Sequence, residues 1–207
     1  MLTVYLLRHG ETTWNADGNR YCGATDVALT AKGIGQARRA GELLKDISFD
    51  GVYSSPLQRA FMTAQIAAPP HAPEVIAVPE LKEASFGTWE GKRREEFIAE
   101  DPTLWDAWQR SPETTRAGGT GNTAEEIVAK ADAFFNAAVA RHPGGTILVV
   151  AHNAVNRFYL AHKLGMPLRN YRRIVQENSA ITRFTLDENF EIALDRLNYN
   201  GEGGLKN

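Results

Sequence analysis

Thr146-Ile-Leu-Val-Val150 is the clearest strand in the chain, with Gly144-Gly145 before it and Ala151-His152-Asn153 after it. A short, near-continuous apolar run between breakers reads as a strand buried on both faces, as in the middle of a parallel sheet. A helix is expected to follow, from about Ala154 to Leu164. Another precedes it, opened by Thr123 and Glu126 as a capping box. Its stripe of Ile127, Val128, Ala131, Phe134, Phe135, Ala138 and Val139 repeats at helical spacing. Helix, strand, helix is the repeating unit of an α/β fold.

Working outward, Leu2-Thr-Val-Tyr-Leu-Leu7 reads as a second central strand. Residues 8–29 have no period and many turn formers, so a long loop is expected. Thr30 opens a helix whose inner face carries Ile34, Ala37, Gly41 and Leu44. Gly51-Val-Tyr-Ser54 reads as a strand, with Ser55 capping the next helix and Pro56 in its first turn. Residues 75–78 form another strand. Residues 79–121 hold Trp89, Trp105 and Trp108 among many charges, with broken periodicity, and read as loops and short helices. Two strands near 180–186 and 191–197 are joined by Asp187-Glu-Asn189, and a loose tail is expected from Gly201. The resulting expectation is an α/β fold, a three-layer α/β/α sandwich whose central sheet is mostly parallel with an antiparallel edge. It spans 1–207 as one domain with a cap insertion at about 84–121.

Composition removes several classes of function. The 207 residues carry 23 Lys and Arg against 25 Asp and Glu, a net charge of −2, which lacks the basic footprint of nucleic-acid binding. One cysteine, Cys22, precludes an internal disulfide framework and a cysteine-based zinc site. No segment approaches the ~20 apolar residues of a membrane span. Met1–Leu7 is too short for a signal peptide and runs into Arg8 without a small-residue cleavage site, so a cytoplasmic protein is expected.

Ligands of open parallel sheets sit beyond the carboxyl ends of the strands. The residues that follow the strands here are Arg8, His9, Gly10 and Glu11, then Arg59 in the first helical turns, then Glu80 and Glu83, and finally His152 and Asn153. Two histidines, two arginines and acid groups thus reach one rim. Arginine pairs bidentately with phosphate oxygens and stays charged. Imidazole can act as a nucleophile, and a carboxylic acid can protonate a leaving oxygen. Singly, each of these residues reads as an ordinary rim or loop side chain; together, His9 and His152 point to phosphoryl chemistry. His71, His142 and His162 are read as having no role, and Trp105 and Trp108 as packing.

At this point the residues resemble the histidine phosphatase superfamily, the phosphoglycerate mutase-like fold. Leu7-Arg8-His9-Gly10-Glu11-Thr12-Thr13-Trp14-Asn15 is similar to its signature. The resemblance continues through Ala28–Gly33, Ser54–Ala60, Glu80–Glu83 with Phe86–Gly91, and Val149–His152. The Phe-Gly-x-Trp-Glu block is nearest to the α-ribazole phosphatase-like branch. The resemblance implies that His9 is the nucleophile and becomes a phosphohistidine. It implies that Arg8, Arg59 and His152 hold the phosphate oxygens, that Asn15 adds a contact, and that Glu83 is the proton donor. It implies neither metal nor other cofactor. Asn153 stands where relatives commonly have glycine; its backbone N–H and side-chain amide remain able to reach phosphate. Glu83-Ala-Ser-Phe-Gly87 also lacks the mutase-type Arg-His-Tyr-Gly run, and both departures favour a phosphatase over a mutase.

The expected activity is therefore hydrolysis of a small soluble phosphomonoester. A cofactor-dependent phosphoglycerate mutase is the alternative, and a non-catalytic phosphate-binding module on the same fold a third. Gly33-Ile34-Gly35 is only a partial dinucleotide fingerprint, lies where a helix is expected, and is set aside. The expected partners are a small phosphorylated metabolite and, at most, a second copy of the chain in a homodimer, with no nucleic acid and no membrane. Lys92, Arg93, Arg94, Arg110 and Arg116 are available on the cap for a second anionic group, although a solvated surface is the plainer reading.

Overall fold

The structure is a computed structural model that describes residues 1–201; the rest of the expected tail lies outside the described residues. In chain order the elements are β1 (Leu2–Arg8), α1 (Thr13–Ala16), α2 (Ala31–Leu44), β2 (Gly51–Ser54), α3 (Gln58–Ala67) and β3 (Val75–Ala77). There follow α4 (Arg94–Glu100), α5 (Pro102–Arg110), α6 (Ala124–Arg141), β4 (Thr146–Ala151), α7 (Asn153–Lys163), β5 (Ile181–Leu186) and β6 (Ile192–Tyr199). The sheet runs β3-β2-β4-β1-β5-β6; the first four strands are parallel and β5 and β6 antiparallel.

Side-chain alternation along the central strands builds the three layers. Val4, Leu6, Ile147 and Val149 face one side and pack with α6, α7 and the aromatic residues of 86–108. Leu7, Leu148 and Val150 face the other side and pack with α2 and α3. Both faces of β1, β2 and β4 are therefore covered, which is why these strands are apolar without strict alternation. Trp105 and Trp108 are buried in the first of these clusters, and Trp108 meets Phe158 of α7 edge-on at 6.0 Å. Among the described residues, no helix is long and apolar enough to cross a membrane.

Three local expectations need correction. Residues 8–29 are not all loop. Thr12 and Asn15 form a reciprocal cap on the single turn of α1, with asparagine in the place usually held by Glu or Gln. The buried face of α2 is Gly33, Ala37, Ala40 and Leu44, so Ile34 and Gly41 lie beside the stripe rather than in it. Ser55 does not cap α3. The helix begins after Leu57, which makes no side-chain cap, and Asp26 accepts from the Gln58 N–H at 2.9 Å. That cap is 32 residues away, out of reach of local pattern reading. Elsewhere the expected elements fall within two residues of the observed ones, and Thr123–Glu126 forms its capping box.

Candidate active site

β1 and β4 lie side by side, with Arg8 in register with Ala151. The chain leaving β1 leads to α2 on one face of the sheet, and the chain leaving β4 leads directly to α7 on the other. The crevice between such diverging connections is where open α/β sheets bind ligands. Arg8 ends β1 with His9 next in the chain, and His152 joins β4 to α7, which brings two imidazoles together at the base of the crevice with ring centres 5.1 Å apart.

His9 is 4% exposed, and its Nδ1 lies 2.8 Å from the Gly10 carbonyl oxygen. A carbonyl only accepts, so Nδ1 carries the proton and Nε2 keeps a free lone pair. Burial first, then the charges of Arg8 and Arg59, hold the pKa of His9 well below the ordinary histidine value. The backbone is fixed on several sides. The His9 N–H donates to Ala151 O, Asn178 Nδ2 donates to His9 O, and the Gly10 N–H donates to Thr63 Oγ1. His152 is fully buried, and neither ring nitrogen has a hydrogen-bond partner among the described residues. Burial, Arg59, His9 and Arg8 push its pKa down in the same way.

Arg8 donates from Nη1 to Gln176 O at 2.9 Å. Arg59 is fully enclosed and donates to the carbonyls of Thr25 and Gly23, each at 2.7 Å. It pins the loop over the site. Glu83 accepts three backbone N–H groups: Ala84 and Val155 at Oε1 (3.0 and 3.2 Å) and Ala154 at Oε2 (3.1 Å). Two of these donors are in the first turn of α7. Burial raises the Glu83 pKa from the ordinary carboxyl value, while the three N–H groups and Arg59 oppose that rise. The carboxyl is thus held between burial, which favours its neutral form, and a cationic rim, which favours its charged form.

Gly10 and Gly33 permit this assembly. A Cβ on Gly33 would lie 2.1 Å from Glu11 O, and one on Gly10 would lie 2.4 Å from Gly33 O. The Arg8–Glu11 loop therefore rests backbone-to-backbone on the first turn of α2.

The model of the histidine phosphatase superfamily (branch 1) matches residues 4–200. The chain belongs to that superfamily. It is similar to 2-carboxy-D-arabinitol-1-phosphatase of Triticum aestivum, 33% identical over 201 residues, 94% of this chain but 40% of the wheat protein. The chain thus spans about two fifths of that plant relative. It is also similar to the adenosylcobalamin/alpha-ribazole phosphatase of Escherichia coli, 35% identical over 80% of this chain and 81% of that protein. A probable phosphoglycerate mutase of Proteus mirabilis is 34% identical over 88% of this chain and 84% of its own length. Among solved structures, an Entamoeba histolytica phosphoserine phosphatase mutant in complex with phosphoserine superposes with a TM-score of 0.87. It is 30% identical and covers 97% of this chain and 98% of that one.

In this member of the superfamily the crevice widens into a cavity of about 460 Å³. Arg8, His9, Glu83, Asn15 and Asn153 line it, whereas Arg59 and His152 stand behind its wall. Asn15 has its Oδ1 engaged by Thr12 and Asn178, so its amide N–H groups are the end left for a ligand. Asn153 Oδ1 is buried without a partner among the described residues. The cap cations largely do not reach the cavity: Lys92 pairs with Glu100, Arg93 with Asp17 and Arg116 with Glu126, and only Arg94 lines it. Sequence reasoning missed Arg157 and Arg172, which do line it. Arg157 was findable, being one helical turn beyond Asn153. Arg172 comes from a 3-10 segment, Leu168–Arg173, that has no hydrophobic period to announce it.

Proposed function

We propose that this chain is a phosphatase that hydrolyses a small phosphomonoester through a phosphohistidine on His9. The observation that carries the reading is the His9 imidazole: neutral, its Nδ1 proton committed to Gly10 O, and its Nε2 free at a cavity lined by Arg8. In the first step the Nε2–phosphorus bond forms as the bond from phosphorus to the ester oxygen breaks, and neutral Glu83 gives its proton to that oxygen. Arg8, with Arg59 and His152 close behind, balances the charge that gathers on the phosphoryl oxygens. In the second step Glu83, now a carboxylate, takes a proton from water as the water oxygen attacks phosphorus. Inorganic phosphate leaves and the imidazole is regenerated. On this reading the cationic side chains do what a metal ion does in other phosphatases.

Acid-labile label on His9 during turnover, trapped by rapid quenching and located by mass spectrometry, is the expected result. His9→Ala should abolish the label and lower turnover by several orders of magnitude. Label on serine or aspartate, or no label during active turnover, would refute the reading. Relatives named as probable mutases give phosphoryl transfer a place as a second reading. The two separate on one measurement, because a mutase re-donates the phosphoryl group and a phosphatase releases inorganic phosphate.

A further inference from the structure

Within the Phe86–Gly91 block, Phe86 lines the cavity and Glu90 stands outside its lining. Trp89 is buried, stacked on Phe97 at 4.7 Å and edge-on to Trp105 and Trp108 at 5.6 and 5.9 Å. That packing fixes the single 3-10 turn Gly87–Trp89, and with it the point from which the next side chain starts. Glu90 follows, half-buried. Its Oε1 accepts from the Gly23 N–H at 2.9 Å and from the Thr25 N–H at 3.0 Å, and its Oε2 shares the Gly23 N–H at 3.1 Å.

Arg59 takes the acceptors of the same two residues. Its Nη1 donates to Thr25 O and its Nη2 to Gly23 O, so the donors of Gly23 and Thr25 belong to Glu90 and their carbonyls to Arg59. Asp26, next in the loop, accepts from the N–H of Gln58, the residue before Arg59. The loop therefore bears on Arg59 twice, on its guanidinium through two carbonyls and on its helix through Asp26. Gly23 is buried against the chain that follows Glu83. A Cβ there would lie 2.1 Å from Ala84 O and 2.7 Å from Glu90 Oε2, so the loop has no other seat. Two carbonyls in a fixed spacing orient the guanidinium fork and leave its charge intact, whereas a carboxylate in direct contact would cancel much of it.

We propose that Glu90 is a positioning residue for phosphoryl transfer: by gripping the N–H groups of Gly23 and Thr25 it sets the carbonyls that aim Arg59 at the phosphoryl oxygens. This rests on the phosphatase reading above. Glu90 acts through Arg59 and not on the ester, which is why it lies outside the cavity lining. Its negative charge is kept one loop away from the cation whose charge the transition state uses. The buried Trp89 and the acidic Glu90 thus have separate tasks, the first to anchor the turn and the second to hold the loop.

The test is a double-mutant cycle between Glu90 and Arg59, read by steady-state hydrolysis of p-nitrophenyl phosphate. Glu90→Ala frees both N–H groups and should lower kcat by about 10- to 100-fold, as a misplaced transition-state donor does, with KM changed by less than about threefold. Glu90→Gln keeps an oxygen where Oε1 now takes both N–H groups, so it should stay within about threefold of wild type. In an Arg59→Lys background the fork that grips the two carbonyls is gone, and Glu90→Ala should there cost less than about threefold. Hydrogen exchange over residues 22–26, followed by mass spectrometry, should quicken in Glu90→Ala and hold in Glu90→Gln. The same loss from Glu90→Ala in both backgrounds overturns the inference. So does unchanged exchange over 22–26 in Glu90→Ala, or a Glu90→Gln variant as poor as Glu90→Ala. Wild-type protein that releases no phosphate defeats the phosphatase reading and this inference with it, whereas active wild type with an additive cycle defeats this inference alone.

Discussion

Replacing Glu83 by glutamine separates two roles that the structure superimposes on one carboxyl. As a cap, Glu83 takes N–H donors from Ala84, Ala154 and Val155. Glutamine can keep the pair at Oε1, but its amide nitrogen would face the Ala154 N–H across 3.1 Å, donor against donor. One buried N–H left without an acceptor costs about 1–3 kcal/mol, and each kcal/mol lowers the melting temperature of a chain of this size by about 2–4 °C. As a proton donor, Glu83 contributes only where the leaving group needs a proton, and general acid catalysis accounts for about 10²–10⁴ in rate. Glu83→Gln should therefore lower kcat/KM on an alkyl phosphate by about 10²–10⁴. On p-nitrophenyl phosphate, whose leaving group departs as a stable anion, the loss should stay within about tenfold. The assay is steady-state phosphate release from both substrates by one preparation, with thermal unfolding measured alongside. Damage to the cap alone would depress both substrates equally, because the scaffold does not sense the leaving group. Equal losses would thus refute the proton-donor role and leave Glu83 as the N-terminal anchor of α7.

Three further outcomes are expected. His9 and His152 have folded pKa values below the unfolded value, so the unfolded chain binds more protons as pH falls through 6.5. Their contribution is complete above that pH and is lost below it, at up to about 1.4 kcal/mol per pH unit for each histidine. Glu83, with its raised pKa, opposes this by favouring the folded state at low pH. Urea unfolding at pH 7 and 5.5 should show the loss, and His152→Asn should flatten it; a pH-independent wild type would contradict the burial argument. Gly33→Ala should destabilise by about 1–3 kcal/mol and cut activity, since its Cβ meets Glu11 backbone atoms. Gly35→Ala, on the exposed face of the same helix with nothing within 4 Å, should be neutral or slightly stabilising in the same denaturation assay. Phosphate release should persist after exhaustive EDTA treatment; a large loss restored by magnesium or zinc would overturn the metal-free mechanism.

The sequence by itself determined the layers and the rim. Buried strands such as Thr146–Ala151 show their hydrophobicity in consecutive residues, and helix α6 shows its cap and stripe within one window, so both are local signals. Chemistry placed directly after a strand is equally local, which is why Arg8, His9 and His152 could be named together. Only the tertiary structure decided which polar groups are engaged and which are free. Arg59 and His152 both read as phosphate ligands from their positions, yet both stand behind the cavity wall, and Arg59 spends its donors on the carbonyls of Gly23 and Thr25. The cap of α3 comes from Asp26, the oxygen of Asn15 is claimed by Thr12 and Asn178, and the cap arginines Arg93 and Arg116 are paired. Arg157 and Arg172 emerged as cavity residues for the converse reason. Periodicity records which face of an element is apolar, whereas the partner of a polar atom is set by whichever distant segment packs within 3 Å of it.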